Sequence, residues 1–453
     1  MNRHLSVSAR TIPYMMRRFR RVALVSVLLA SCDDLPLPMD SPAATPHEAY
    51  ANSLKKAGLT ETALGREWVG AADAALQSPV PAKLPIEEAG FFPSDRPRAI
   101  AYRVDLIRGR RLVLEADLAP AAGALLFIDV FSVPTEEGDS LRHLVSADSG
   151  TRYLTFEPRR TGPYLVRLQP ELLRGGRYRL TLREEPALAF PVSGAADKSI
   201  QSGFGAPRDG GVREHHGIDI FAPRGTPVLA AAAGVVTRVR ETPRGGRVVW
   251  VRDEQRGNNL YYAHLDQQLV ENGVTVQIGD TLGLVGNTGN ARSTPPHLHF
   301  GVYRRGEGPL DPRPWVARLS NRAQPIRADT SVLGLQARTL RATAMRVSPG
   351  RDASEVRRLP IETILRIWGV RGEWYHARLP DGTAGFVAAA DVAPATVVLR
   401  TIAVPEATVF RAEPAVYAAV IDSLSARSLP VYGRFGTSLL VQVDSLFGWI
   451  AER

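Results

Sequence analysis

The chain has 453 residues, which at one domain per ~150 residues predicts three or more domains. With 44% hydrophobic and 23% charged residues, it is neither disordered, nor collagenous, nor a polytopic membrane protein. The net charge of +10 sits largely at the start. Residues 1–31 hold six arginines and no acid, leaving 50 basic against 46 acidic residues, or +4, spread along the rest. Nucleic acid is therefore not expected as a partner.

Arg17, Arg18, Arg20 and Arg21 precede the apolar run 22–30, too short for a bilayer span of ~20 residues, so residues 1–31 are predicted to be an export signal. The run ends Leu29-Ala30-Ser31-Cys32, which resembles the lipobox of bacterial lipoproteins. That resemblance implies lipid attachment to Cys32 and an extracytoplasmic, membrane-anchored protein, with the periplasmic side expected. Cys32 is the single cysteine, so no intramolecular disulfide can form. Residues 32–46 are proline-rich and read as an extended tether.

Residues 47–80 carry apolar positions at helical spacing (Tyr50, Leu54, Leu59, then Leu64, Trp68, Ala72, Leu76) broken at Gly58, which predicts a short helical hairpin. Over 95–187 the pattern switches to period two, as in 101–106 and 177–182, and a β-sandwich is expected with no chemical cluster in it. The last 120 residues repeat weakly: Arg346, Pro349, Gly369 and Gly385 recur as Arg411, Pro414, Gly433 and Gly448, at offsets of 63 to 65. Each copy ends in glycine, an aromatic and a β-branched residue, and resembles the bacterial SH3-like small barrel. Two such barrels are expected, over 335–395 and 397–453, with Leu440 standing where the first copy has Trp374.

Five of the nine histidines (His215, His216, His264, His297, His299) fall within 215–299. On a strand, His297 and His299 project from one face, ~6.6 Å apart. One can then hold a metal while the other points at what the metal activates. His215 and Asp219 on a straight strand would be ~13 Å apart, so the chain must bend between them, with Gly217 as the residue that permits it. Adding His299 makes two imidazoles and a carboxylate, the ligand set of a catalytic Zn²⁺ with one open position. His216 is then expected to point elsewhere. There is no His-Glu-x-x-His, so a neutral imidazole, from His264 or His297, is the expected base, and the other, protonated, the expected acid or oxyanion stabiliser.

His215-x-Gly217-x-Asp219, Tyr262-Ala263-His264 and His297-x-His299 resemble the three signatures of the LytM/lysostaphin-type zinc metallopeptidases. The stretches 222–228, 234–236, 279–280 and 286–289 agree as well. The resemblance covers about 200 to 305. It implies a mainly β, antiparallel peptidase domain over 190–316, one Zn²⁺ held by His215, Asp219 and His299, catalytic histidines at His264 and His297, and hydrolysis of peptide cross-links in peptidoglycan. For a lipoprotein of a two-membrane bacterium, D-alanyl-diaminopimelyl links are expected over glycyl bridges. Relatives that have lost zinc residues act as scaffolds that activate a separate amidase; retention of all five positions points to an enzyme. A secreted protease acting on protein substrates fits less well beside wall-binding-like barrels and a membrane tether. A biotinyl or lipoyl carrier is excluded, because no lysine follows Lys198.

Overall fold

The computed structural model describes residues 44–452 apart from 121–122, 135, 137–139, 149 and 320–321. The export signal, Cys32 and nearly all of the tether lie outside the described residues. No described helix is long and apolar enough to cross a membrane.

The helical hairpin forms where the spacing places it. Thr45 and Glu48 make a capping box on Pro46–Lys56, the chain turns through Gly58 in the left-handed region, and Thr62 caps Ala63–Gln77. Trp68 and Leu54 bury their side chains against Phe127, and the Trp68 indole N–H donates to the Pro170 carbonyl at 2.9 Å. The hairpin is thereby fixed to the β-structure that follows.

That β-structure is a double layer. One sheet runs Val80–Pro81, Ile100–Leu106, Gly162–Pro170, Leu126–Ser132, Arg142–Ser146; the other contains Ile86–Phe92, Gly176–Pro186, Arg110–Ala119 and Tyr153–Phe156. Inward residues such as Val104, Leu114, Val166 and Leu180 fill the space between them. Two of its strands precede position 95. They are short or carry a Glu-Glu pair, so their alternation is hard to read.

The second sheet does not stop at the sandwich. Ile86–Phe92 pairs on its free edge with Ile364–Arg371, Ala89 opposite Val370 and Gly90 opposite Gly369, so the sandwich and the first C-terminal unit share one continuous sheet. The join encloses a carboxylate. Glu88, fully buried, accepts from the hydroxyls of Tyr102 at 2.7 Å and Tyr178 at 2.6 Å and from the Arg371 guanidinium. A side chain at Gly90 would strike the Tyr178 ring, so the glycine lets Tyr178 reach Glu88.

The C-terminal repeat has a structural meaning. Arg346 pairs with Phe386 and donates to the Ala353 carbonyl at 2.6 Å; Arg411 pairs with Trp449 and donates to the Ala418 carbonyl at 2.8 Å. In register, Leu440 is the counterpart of His376, since His376 faces Gly369 and Phe386 while Leu440 faces Gly433 and Trp449. The Trp374 position is held by Ser438, opposite Phe435 as Trp374 is opposite Arg371. Neither unit closes as a barrel among the described residues. In the second, the strands Arg400–Val404 and Val420–Leu424 are the two edges of the six-stranded sheet and do not pair with each other.

The region between carries an antiparallel sheet in the order Ile200–Ser202, Ile218–Phe221, His297–Arg304, Asn258–Leu265, Gly246–Asp253, Gly234–Thr242, Thr275–Val276. One face packs Ile220, Tyr262, Leu298 and Phe300 into a core closed by Val228 and Leu282 of a smaller three-stranded sheet and by Val285 just beyond it. The protein is mainly β throughout.

At the shared sheet, burial pushes the His376 imidazole pKa down to about 3, against the pull of Glu88. Burial raises the Glu88 carboxyl, but Arg371 and then His376 and the two tyrosines hold it below the usual range. Both shifts have the same consequence. The unfolded chain binds more protons in both cases, so stability is lost as pH falls: below about pH 6.5 for His376, and only below the ordinary carboxylate range for Glu88. Thermal or urea unfolding between pH 7 and 5 should show the wild type losing ~1–2 kcal/mol more than His376→Phe; parallel losses in the two proteins would rule out His376 as a source of acid sensitivity.

Candidate metal centre

Three adjacent strands build the site. Asp219 on Ile218–Phe221 lies directly opposite His299 on His297–Arg304, so both side chains leave the sheet on one face. Phe221 is opposite His297 in the same register, and their rings stack 4.9 Å apart. On the other flank, Ala263 of Asn258–Leu265 is opposite His299.

His264 is the next residue, and strict alternation would turn it toward the core face with Tyr262. It adopts φ +65° instead, at a register shift between Gly246–Asp253 and Asn258–Leu265. Bulges of this kind re-aim side chains beside functional sites. Its ring consequently sits 5.1 Å from that of His297 and 5.9 Å from that of His299.

His215 enters from the end of a small hairpin, Pro207–Arg208 with Arg213–Glu214, and its backbone is held by Gly205 and Ala206. The predicted bend is present: His215 Nε2 lies 3.0 Å from Asp219 Oδ1. Gly217 serves it through space, not through a left-handed φ. A Cβ there would lie 2.7 Å from the His299 ring and 2.6 Å from the Phe300 carbonyl oxygen. His216 is exposed and stacks toward Phe204.

The ligand atoms converge. His215 Nε2 and His299 Nδ1 are 2.9 Å apart, His299 Nδ1 and Asp219 Oδ1 3.1 Å, and the three residues form a group able to hold a metal ion. Ligands of a tetrahedral Zn²⁺ at ~2.0–2.1 Å lie roughly 3.3 Å from one another, so the set fits with a shift of a few tenths of an ångström. Tautomers agree with this. A carbonyl oxygen only accepts, so the contacts of His215 Nδ1 with Gly203, His264 Nδ1 with Thr288 and His297 Nδ1 with Pro295 (2.8, 2.9 and 2.9 Å) place the proton on Nδ1 and leave each Nε2 as a lone-pair donor. His297 Nε2 is 4.0 Å from Asp219 Oδ1. Burial, then His299 and His297, push the His264 imidazole down to about 4, so it is neutral at pH 7. Burial raises the Asp219 carboxyl, but the adjoining His215 and His299 hold it far below the usual range.

Other residues of the site carry no sequence signal. Arg208 donates to Asp219 Oδ2 at 2.7 Å and to Ser202 Oγ at 2.6 Å, occupying one carboxylate oxygen and leaving Oδ1 to face the histidines. Trp250, Tyr261 and Tyr303 form an aromatic wall, Tyr261 edge-on to His299 at 5.7 Å. Together with Arg213 and Arg244 they line a groove of about 640 Å³ that contains all five predicted site residues. Tyr261 adjoins the Tyr262-Ala263-His264 motif without belonging to it.

An antiparallel sheet thus brings together two imidazoles and a carboxylate that could hold a metal ion, with two further histidines beside them. Residues 213–312 match the model of Peptidase family M23. An L-Ala--D-Glu endopeptidase of Bacillus subtilis (strain 168) is 38% identical over 139 residues, covering 28% of this chain and 42% of that protein. Peptidoglycan DD-endopeptidase ShyA of Vibrio cholerae is 42% identical over 97 residues, 21% of each chain. The chain thus spans less than half the length of these curated relatives. Among solved structures, the catalytic domain of lysostaphin from Staphylococcus simulans is 30% identical, with 25% of this chain and 87% of that chain covered and a TM-score of 0.23.

Substituting Gly217→Ala should push the His299 ring out of line and weaken zinc binding by about 10–100-fold, with the β circular-dichroism spectrum unchanged. Metal content after dialysis against a chelator series reads this directly, and wild-type zinc retention in the variant would show that the close approach is dispensable.

Proposed function

We propose that the chain is a zinc-dependent endopeptidase that hydrolyses peptide cross-links of bacterial peptidoglycan, anchored to a membrane through lipid on Cys32. The observation that carries this reading is the convergence of His215 Nε2, Asp219 Oδ1 and His299 Nδ1, with His264 and His297 at the same point and both tied through Nδ1. The printed names of the relatives, among them peptidoglycan DD-endopeptidases, support the substrate. A wall substrate also fits an extracytoplasmic location and an SH3-like, wall-binding role for the two C-terminal units.

His215, Asp219 and His299 would hold the metal, which when bound supplies Lewis-acid polarisation of the scissile carbonyl and acidifies water toward pKa ~7. His264, neutral and fixed by Thr288, accepts a proton from the attacking water at Nε2. The oxygen of that water bonds to the carbonyl carbon as the C–N bond breaks, and the proton passes to the departing amine. His297, held by Pro295 and stacked on Phe221, faces the carbonyl oxygen and, when protonated, stabilises its growing negative charge. The Trp250, Tyr261 and Tyr303 wall positions the peptide alongside.

Residues 33–453 incubated with purified peptidoglycan should convert cross-linked dimers to monomers with zinc and not with a chelator, as read by mass spectrometry of the soluble fragments. His264→Ala and His297→Ala should each lose at least about 100-fold in turnover while keeping one zinc per chain. Loss of metal from both purified variants would overturn the division between ligands and catalytic histidines. Zinc retained with no bond cut in the wild type would favour the amidase-activating scaffold.

A further inference from the structure

A second cavity, of about 650 Å³, opens where four parts of the fold meet: the helical hairpin at Glu67, the sandwich loop at 93–98, the first C-terminal unit, and the 412–414 loop and Trp449 of the second. Its lining is cationic. Arg96, Arg98, Arg366 and Arg378 face it, against Glu67 and Glu413.

The arginines are arranged around one indole. The Arg98 guanidinium lies 4.5 Å from the Trp368 ring centre and that of Arg366 lies 5.7 Å from it. A guanidinium lying on an aromatic face keeps its N–H edge free to grip an oxyanion with two parallel bonds. Arg98 spends one donor on the Phe91 carbonyl and Arg378 one on the Gly382 carbonyl. Arg96 and Arg366 make no ion pair with any described residue. The Trp368 indole N–H, 93% of the residue being buried, has no acceptor there either.

Crowding of like charge is visible in the Arg366 guanidinium, whose pKa is pushed down by burial and then by Arg96, with only Asp95 pulling the other way. Burial also lowers Arg98, against the pull of Tyr178, Tyr102 and Glu88, with Arg378 adding a smaller push downward. Of the buried arginines, Arg371 is matched to Glu88 and Arg167 to Asp129 at 2.7 Å, while Arg110 and Arg338 bond to backbone carbonyls. Arg96, Arg366 and Arg378 are exposed at the cavity with Arg98 half-buried beside them, so four guanidiniums present their donors to one space against two carboxylates.

We propose that this cavity is a binding site for a carboxylate-bearing peptide, with Arg96 and Arg366 gripping its carboxylates and Trp368 and Trp449 supplying the apolar floor. The peptide class follows from size and lining. The volume exceeds what a lone inorganic anion fills, and two indoles favour a ligand with apolar reach between its charges. The source rests on the peptidoglycan reading above, since stem peptides of that polymer carry free carboxylates. On that reading the site holds one strand of the wall while the metal centre acts on another, and effective concentration at the cross-link rises without new contacts at the catalytic groove.

The test uses residues 33–453 carrying His264→Ala, so that nothing is cut during titration. The probe is the synthetic peptide L-Ala-γ-D-Glu-diaminopimelate, with its carboxylates free or amidated, followed by calorimetry and indole fluorescence. The free peptide should bind at least tenfold more tightly than the amidated one. Arg96→Gln with Arg366→Gln should weaken it at least tenfold, and added salt should weaken it in the wild type. Arg322→Gln with Arg351→Gln, which removes the same charge from residues outside the cavity lining, should leave affinity unchanged. Equal binding of free and amidated peptides, or of the Arg96/Arg366 variant and the parent, would overturn the site. Inorganic phosphate binding as tightly as the peptide would replace it with a generic anion site. Binding that behaves as expected in a protein whose wild type cuts no peptidoglycan would overturn the endopeptidase reading alone and support the site.

Discussion

The antiparallel register of Ile218–Phe221 on His297–Arg304 is the constraint on which the rest of the candidate metal centre depends. It sets Asp219 opposite His299 and Phe221 opposite His297, and both histidines emerge on the face away from Leu298 and Phe300. Side chains alternate along a strand, so a slip of one residue would send the histidines into the core and the core residues into water. The burial of Ile218, Ile220, Leu298 and Phe300 therefore stabilises the register and the ligand geometry together. One set of apolar contacts serves both.

Two departures from regular strand structure complete what this register begins. The left-handed His264 turns a residue that alternation would bury toward the same point as His297. Gly217 leaves room for the His299 ring against the chain that carries His215 to Asp219. Each is a local deviation that a surrounding sheet must hold in place, and carbonyl contacts from Gly203, Thr288 and Pro295 then fix the rings. The site is preorganised by backbone groups, with Arg208 the charged side chain that steadies the carboxylate.

A different constraint ties the flanking parts together. Glu88 and Arg371 are 283 residues apart in sequence and both buried, and neither charge can be left alone there without a penalty of several kcal/mol. Their pairing couples the sandwich to the first C-terminal unit through the sheet that Gly90 and Gly369 join. The arginine-lined cavity lies along this junction, drawing residues from the sandwich loop and both C-terminal units. A repeat unit that looks self-contained in sequence is thus part of a larger sheet.

Much of the site was legible in the sequence, because metal chemistry restricts residue type and spacing so sharply that His215, Asp219, His264, His297 and His299 stand out within one stretch of chain. Helical periodicity marked the hairpin about Trp68, and alternation marked the mainly β character, since both are local properties of the chain. The repeated Arg346 and Arg411 were visible for the same reason, although register shifts within the strands misaligned Leu440 with Trp374. What the sequence by itself determined was which metal-ligating residue types cluster in one stretch and which local periods they sit in. Only the tertiary structure decided that Gly217 acts by close approach, that His264 is turned by a bulge, that Arg208 holds Asp219, that the expected barrels stay open, and that one sheet runs through two units. Those features depend on contacts between residues far apart in the chain, where burial and excluded volume select the partner and no local pattern records it.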